Sequence, residues 1–194
     1  MQLIQHQDSP RHVRLHPDDN VAIVVNEQGV AEGGQFPDGL VTREPGRVCG
    51  VMTADCLPVL LCNREGTCVG IAHAGWRGLT RGIIGAVVAR MDCDPDSMLV
   101  WLGPAIGPDA FEVGDEVRAA FMALDPANAN CFRPSPAGRW LADIYGLARR
   151  QLEALGVSAV YGGQWCTFTE RERFFSYRRD VRTGRMASLI WLAE

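Results

Sequence analysis

Hydrophobic residues are concentrated in the middle of the chain. Two mostly apolar stretches, 47–62 and 67–74, flank the polar sequence Asn-Arg-Glu-Gly at 63–66. Apolar runs joined by a short turn-forming sequence are typical of paired β-strands. The pattern therefore predicts an antiparallel hairpin in which residues 63–66 form a four-residue loop.

The rest of the chain alternates between strand-like and helix-like patterns. Short apolar runs predict further strands at 20–25, 39–42, 98–103 and 158–163. Apolar residues at helical spacing predict helices at 79–91, 116–124 and 140–156. Asp115 is the expected N-cap of the second helix.

Two segments near the end of the chain, 174–180 and 186–192, are predicted to pair as a terminal hairpin around residues 181–185. This mixture of helices and hairpin-like strand pairs favours an α/β (α+β) sandwich with a mixed sheet over a purely parallel sheet.

Composition narrows the possible functions. The 194 residues suit one domain with a sizeable core, and a net charge of −4 argues against a nucleic-acid partner. All 19 basic residues are arginines, which excludes mechanisms that need a Schiff-base or P-loop lysine. The apolar runs are shorter than the ~18 residues of a membrane span, so we expect no membrane partner. With no apolar signal region at the start and seven cysteines without a CxxC pair, we expect reduced thiols in the cytoplasm.

The predicted hairpin places a thiol opposite an imidazole. If 63–66 is the loop, Cys62 faces Thr67 and Cys56 faces His73. Opposed side chains in an antiparallel ladder lie on one face, with Cβ atoms about 4.5–5.5 Å apart. Such a pair can bind one zinc ion with a coordination position left open, or act as a nucleophile with its base. The same spacing also fits a buried core thiol and a core histidine, since free cysteines are among the most buried residue types.

Several long motifs resemble one known family. They are "MTADCLPVLLCN", "AHAGWRG", "WLGPAIGPDAFEVGDEV", "LADIYGLAR" and "FFSYRRDVRTGRMASLIWL". In this order they closely resemble the YfiH family, formerly labelled multicopper polyphenol oxidase or laccase-domain proteins and now described as purine nucleoside phosphorylases. The resemblance covers residues 37–192 of a single domain spanning 1–194, whereas 1–36 are atypical. It implies an N-terminally short YfiH-type fold.

The resemblance also implies a metal site and an activity. Cys56 and His73 match the family's metal-binding cysteine and one of its two histidines, with zinc as the metal and copper as the alternative. The second histidine lacks its usual motif here, and the candidates for it are His6, His12 and His16. The implied activity is phosphorolysis of adenosine, inosine, guanosine or methylthioadenosine, with nucleoside and phosphate as partners and adenosine deamination as a side activity.

Three other functions remain as alternatives: a cysteine-type hydrolase, a polyphenol oxidase and an inactive binding protein. The oxidase is disfavoured because the chain has four histidines and no His-x-His pair.

Three arginines are candidates for binding the phosphate. Arg77 follows the turn after His73, and Arg178 and Arg179 lie in the sequence Ser-Tyr-Arg-Arg-Asp. A planar guanidinium binds an oxyanion with two parallel hydrogen bonds, which suits a phosphorolytic enzyme. Alternatively, Arg77 and Arg179 pair with Asp55 or Asp180 and hold loops in place.

Overall fold

The computed structural model of the protein describes residues 39–193 together with the backbone of two short strands at 12–14 and 21–24. The strands are β1 (His12–Arg14), β2 (Val21–Val24), β3 (Gly39–Thr42), β4 (Cys49–Thr53), β5 (Leu57–Asn63), β6 (Val69–Ala74), β7 (Met98–Leu102), β8 (Glu112–Val113), β9 (Phe132–Pro134), β10 (Trp140–Ala142), β11 (Ala159–Gly162) and β12 (Met186–Ile190). The helices are α1 (Trp76–Thr80), α2 (Ile83–Met91), α3 (Asp115–Leu124), α4 (Ile144–Ala154) and α5 (Tyr177–Asp180). Within these described parts of the chain, no helix is long and apolar enough to span a bilayer.

The strands of the described residues form three sheets. The largest has the order β11-β7-β5-β6-β3, in which β11 and β7 are parallel and the other neighbours are antiparallel. A four-stranded antiparallel sheet has the order β1-β2-β12-β4, and a small third sheet has the order β8-β10-β9. The predicted α/β (α+β) sandwich with a mixed sheet is therefore confirmed.

The central strand β5 is buried on both faces. Val59 and Leu61 belong to the larger core, which also contains the buried faces of α2 and α4. Leu60, which points the other way along the alternating strand, packs in a second core with Cys49 of β4 and Ile190 of β12. Each fully buried leucine contributes about 2 kcal/mol of hydrophobic free energy, so the sandwich is held from both sides of one strand.

The prediction that 47–62 form one strand region is wrong. β4 and β5 lie in different sheets and are separated by a bend at residues 54–56. The bend centres on Asp55, whose φ of 86° is a backbone conformation that side chains other than glycine rarely adopt. The apolar pattern is continuous across this bend because both strands are buried, so periodicity does not mark it.

The predicted register of the β5–β6 hairpin is also wrong. Cys62 pairs with Val69 and Pro58 with His73, so Cys56 is not directly opposite His73. The loop has the expected four residues but lies one position later, at 64–67. The reason is that Asn63 stays in the strand, and its side-chain Oδ1 accepts hydrogen bonds from the backbone N–H groups of Thr67 and Cys68, each 2.9 Å long.

The three helix predictions differ from the structure at their ends. The 79–91 segment is divided into α1 and α2 by Gly82, which has a left-handed φ of 77°. The helix predicted from residue 140 begins only at 144, because Asp143 is its N-cap and 140–142 form a strand. Gly114, and not Asp115, precedes the helix at 115–124; the Asp115 carboxylate instead accepts a 2.7 Å hydrogen bond from Trp140 Nε1.

The terminal hairpin is not formed. Residues 177–180 are the short helix α5, and β12 pairs with β2 on one side and β4 on the other. Both partners of β12 are distant in the sequence, so local patterns of the kind used for prediction contain no sign of them.

Candidate active site

The bend before Cys56 is fixed by contacts from distant parts of the chain. The Asp55 carboxylate accepts a 2.6 Å hydrogen bond from Thr167 Oγ1 and a 2.7 Å bond from the Arg178 backbone N–H. Its carbonyl oxygen accepts a 2.9 Å bond from the Ile106 N–H. Asp55 is 9% exposed and Thr167 fully buried, so these bonds are shielded from water. They offset the strain of the positive φ and set the direction in which the next residue, Cys56, leaves the bend.

The Cys56 thiol and the His73 imidazole approach the same point in space. A Cβ atom placed on Gly75 would lie 2.8 Å from Cys56 Sγ and 3.9 Å from His73 Nε2. The two atoms are therefore no farther apart than the sum of these distances. Glycine is required at 75 because any side chain there would collide with the sulfur. The observed pairing of the two strands is shifted by two residues from the predicted pairing. Because successive side chains of a strand alternate between its two faces, a shift of two residues keeps Cys56 and His73 on the same face.

A surface cavity of about 360 Å³ opens over this pair. Cys56 and His73 contribute to its wall together with Arg77 of α1 and Arg81, which directly follows α1. The exposed Arg77 guanidinium lies 4.3 Å from the centre of the Trp76 ring, a cation–π arrangement that holds it at the cavity. The structure thus brings a thiol, an imidazole and two cations to one concave surface.

Arg178 and Arg179 have different surroundings. Arg178 is exposed, and its Nη1 donates a 2.7 Å hydrogen bond to the Glu112 carbonyl while its backbone N–H binds Asp55. The Arg179 guanidinium donates to three backbone carbonyls, those of residues 167, 168 and 174, and forms an ion pair with Asp180. These contacts favour the loop-holding alternative for Arg179.

The Gly-Pro loop at 103–107 has its backbone amides occupied within the protein. The Ala105 N–H donates to the Tyr145 hydroxyl at 2.7 Å, and the Gly107 N–H to the Cys166 sulfur at 3.2 Å. Burial raises the pKa of Tyr145 and outweighs the lowering by the Ala105 N–H bond, so its hydroxyl stays protonated and also donates toward nearby carbonyls such as that of Trp165. This loop supports the bend at Asp55 and does not present free amides to a ligand.

The donors present at the cavity suit a soft or borderline metal. Zinc accepts cysteine sulfur and histidine nitrogen, and a site with three protein ligands leaves one position open. Within residues 39–193 no three metal-binding side chains converge. The candidates for a further ligand, the side chains of His6, His12 and His16, lie outside the described residues.

Two features of the site were absent from the sequence prediction. Arg81 lines the cavity beside Arg77, and the spacing of four residues, which places two side chains on one helical face, was the available signal. The other feature is the pair of hydrogen bonds to the Asp55 carboxylate, here called the clamp on Asp55. The sequence had no signal for it, because its donors, Thr167 and Arg178, are 112 and 123 positions away.

Sequence and structure comparisons agree on a family. Residues 5–193 match a family described as "Multi-copper polyphenol oxidoreductase laccase". A protein of Escherichia coli (strain K12) named "Purine nucleoside phosphorylase YfiH" is 58% identical over 155 residues, which are 80% of this chain and 63% of that protein. A purine nucleoside phosphorylase of Pseudomonas aeruginosa is 58% identical over 151 residues, covering 77% of this chain and 62% of that protein.

The fold is similar to that of solved structures. The crystal structure of Neisseria meningitidis protein NMB0706, of family DUF152, has a TM-score of 0.79 and 54% sequence identity, covering 81% of this chain and 65% of that one. The chain thus spans less than two thirds of the length of these relatives. With a family match over nearly all of its residues and relatives at 58% identity, the chain belongs to the multi-copper polyphenol oxidoreductase laccase family, as its resemblance to the YfiH proteins predicted.

Proposed function

We propose that this chain is a zinc-dependent purine nucleoside phosphorylase that cleaves adenosine, inosine, guanosine or methylthioadenosine with inorganic phosphate and deaminates adenosine as a side activity. The convergence of Cys56 Sγ and His73 Nε2 on one point at a cavity wall carries the proposal. The names of the E. coli and P. aeruginosa relatives support phosphorolysis as the reaction.

Cys56 and His73 would hold the zinc ion, with a third ligand from among His6, His12 and His16. A sulfur and an imidazole nitrogen suit zinc and also suit copper, which is the alternative metal. When bound, zinc supplies a Lewis acid that activates water and helps to orient the nucleoside. The glycine at 75 leaves room for the sulfur beside the imidazole, and its replacement would displace one of them.

Arginines would hold the phosphate. Arg77 and Arg81 at the cavity and the exposed Arg178 near the Asp55 bend provide planar donors that match oxyanion geometry. Arg179 would act through the loop that it holds, since its guanidinium donors bind backbone carbonyls. Phosphate held in this way attacks the anomeric carbon of the ribose, the bond to the base nitrogen breaks, and the purine leaves.

The proposal extends to the organisation and location of the protein. We expect residues 1–194 to form one domain that works in the cytoplasm, with no nucleic-acid partner. Support comes from the seven cysteines, all within 39–193, none of which forms a disulfide, and from the net charge of −4.

The test is to incubate the purified protein with adenosine, inosine or guanosine, with and without phosphate, and to separate the released bases by chromatography. We expect base release that requires phosphate and that is lost after zinc is removed by a chelator. Cys56→Ala and His73→Ala should each lower the rate at least about a hundredfold. Cys62→Ala, which removes another half-buried thiol, in the adjoining strand β5, is the matched control and should retain activity.

Each alternative function gives a different result in the same assay. A cysteine hydrolase would act without phosphate and without metal, and an oxidase would contain copper and consume oxygen. An inactive binding protein would turn over nothing even with metal bound.

Arg77→Ala should raise the KM for phosphate about tenfold, whereas Arg64→Ala, in the exposed hairpin loop, should not change it.

A further inference from the structure

Two thiols outside the candidate site meet at the C-terminal end of α2. The Cys93 Sγ lies 3.0 Å from the Met91 carbonyl oxygen, and the Cys68 Sγ lies 3.8 Å from the same oxygen. Because both sulfurs lie beside one oxygen, they are no farther apart than the sum of these two distances, and the neighbouring Cys93 is one of the smaller influences that raise the pKa of Cys68. We propose that Cys68 and Cys93 are a redox-sensitive pair that forms a reversible disulfide when the protein meets a peroxide.

The backbone on both sides of the pair is fixed. Cys68 directly precedes β6, and its N–H donates a 2.9 Å hydrogen bond to Asn63 Oδ1. Cys93 follows Asp92, whose left-handed φ of 45° ends α2. Cys68 therefore lies at the start of a strand and Cys93 in the short connection directly after a helix, and both sulfurs are placed beside the Met91 carbonyl oxygen.

The two thiols differ in exposure, which gives them different roles. Cys93 is partly exposed, whereas Cys68 is 1% exposed. Peroxide therefore reaches Cys93 first. Burial, more than any other influence, raises the pKa of Cys68, but the nearby Arg43 lowers it, and the Arg43 guanidinium also donates to the Met91 carbonyl. The arginine favours the thiolate form that the second step needs.

The reaction balances with hydrogen peroxide as the oxidant. The Cys93 thiolate attacks one oxygen, the O–O bond breaks, and hydroxide leaves to become water, which makes a sulfenic acid. The Cys68 thiolate then attacks that sulfur, the S–O bond breaks, and a second water leaves as the S–S bond forms. In total the two thiols lose two protons and two electrons, and the peroxide is reduced to two waters.

The sequence makes the disulfide simple to detect. With no lysine in the chain, trypsin cuts only after arginine and places Cys68 in peptide 65–77 and Cys93 in peptide 91–118, each with a single cysteine. The full-length protein is reduced, treated with peroxide, blocked with N-ethylmaleimide, digested and analysed by mass spectrometry. We expect the cross-linked pair 65–77 with 91–118 as the main oxidation product, and its disappearance after dithiothreitol.

Controls separate a specific pair from general oxidation. Peptide 119–139 carries Cys131, another half-buried thiol, and should be recovered blocked by the maleimide. In Cys93→Ser, Cys68 should remain reduced, whereas in Cys68→Ser the Cys93 sulfenic acid should persist and react with dimedone. The oxidised wild-type protein should also melt a few degrees higher than the reduced one, and Cys93→Ser should show no such rise.

Two results would overturn the proposal. One is a cross-link from 65–77 to peptide 48–64, which carries Cys49, Cys56 and Cys62, in place of 91–118. The other is recovery of both single-cysteine peptides without a cross-link at peroxide concentrations that oxidise Cys131. The experiment does not depend on nucleoside turnover, so its failure and the failure of the proposed function are separate results.

Discussion

The two ends of strand β5 are fixed in different ways. At its C-terminal end, Asn63 closes the hairpin loop with bonds to residues only four and five positions away. At its N-terminal end, the bend at Asp55 is held by Thr167 and Arg178, more than a hundred positions later in the chain. One end is therefore a local structure, and the other exists only in the folded protein. The candidate site lies at the second end.

This difference indicates where the protein accommodates strain. The local loop uses a glycine, Gly66, at its left-handed position with φ of 65°. The distant bend uses an aspartate at φ of 86°, although glycine would be less strained there. The aspartate is retained because its carboxylate also joins two other segments to the residue before Cys56. The strained aspartate thus also positions Cys56, whereas the hairpin loop positions no residue of the candidate site.

The largest effect is expected from Asp55→Ala. Thr167 Oγ1 and the Arg178 N–H would lose their acceptor in a buried place, which should lower the free energy of unfolding by about 3 kcal/mol. The variant should also lose phosphorolysis, because Cys56 would no longer be aimed at His73. Urea unfolding and the base-release assay measure the two effects.

Thr167→Val is the matched control for Asp55→Ala. It removes one of the two bonds and leaves the Arg178 N–H paired, so about half of the loss of stability is expected. If Asp55→Ala unfolds at the wild-type urea concentration, the bend is not maintained by these bonds, and the contrast between the two ends of β5 is lost.

Asn63→Ala tests the local end. It removes the acceptor of the Thr67 and Cys68 N–H groups and should cost about 2 kcal/mol of stability, again measured in urea. The refolded variant should retain nucleoside turnover, because the hairpin loop lies at the opposite end of the strand from Cys56. A loss of turnover without a loss of stability would contradict a purely local role.

Gly66→Ala should have a smaller effect. A Cβ atom on Gly66 would meet nothing within 4 Å, so only the left-handed backbone opposes the substitution. We expect a cost of about 1 kcal/mol in urea unfolding. Gly75→Ala is the contrasting variant: its Cβ would lie 2.8 Å from Cys56 Sγ, so it should reduce turnover more than Gly66→Ala does.

The smallest effect is expected from Asp180, which lies in the same short helix as Arg178, and it concerns how stability depends on pH. The Arg179 hydrogen bond, and after it the Arg179 and Arg171 charges, holds the pKa of Asp180 below its ordinary value of 3.8. A lowered folded-state pKa means that this stabilisation is present above 3.8 and is lost as the pH falls through the folded value. Asp180→Asn should therefore flatten the stability curve below about pH 4, which urea unfolding measured between about pH 2 and pH 5 would show. Parallel curves for the two proteins would exclude a contribution from this pair.

Much of the fold could be predicted from local pattern. β7, β11 and the mixed α/β class follow from short apolar runs between turn-forming residues, and the structure confirms them. Some errors occurred where a distant contact decided the local conformation. The segment 174–180 ends in a helix and does not pair with β12, whose partners are β2 and β4.

The candidate site was predictable in part. The spacing of Cys56 and His73 indicated a shared face, and the even error in register preserved it. The bend at Asp55 was not predictable, because the sequence around it reads as one continuous apolar strand. The register was misjudged for a different, local reason: Asn63 stays in the strand, where its side-chain Oδ1 accepts hydrogen bonds from the backbone N–H groups of Thr67 and Cys68.

The clamp on Asp55 can form only late during synthesis of the chain. Cys56 and His73 leave the ribosome well before Thr167 and Arg178, which are 112 and 123 positions after the aspartate. Until the later segments emerge, the carboxylate lacks both donors, and of the bonds that offset the left-handed backbone only the one from the Ile106 N–H can form. A nascent chain arrested before residue 167 would thus contain the thiol and the imidazole without the geometry that joins them.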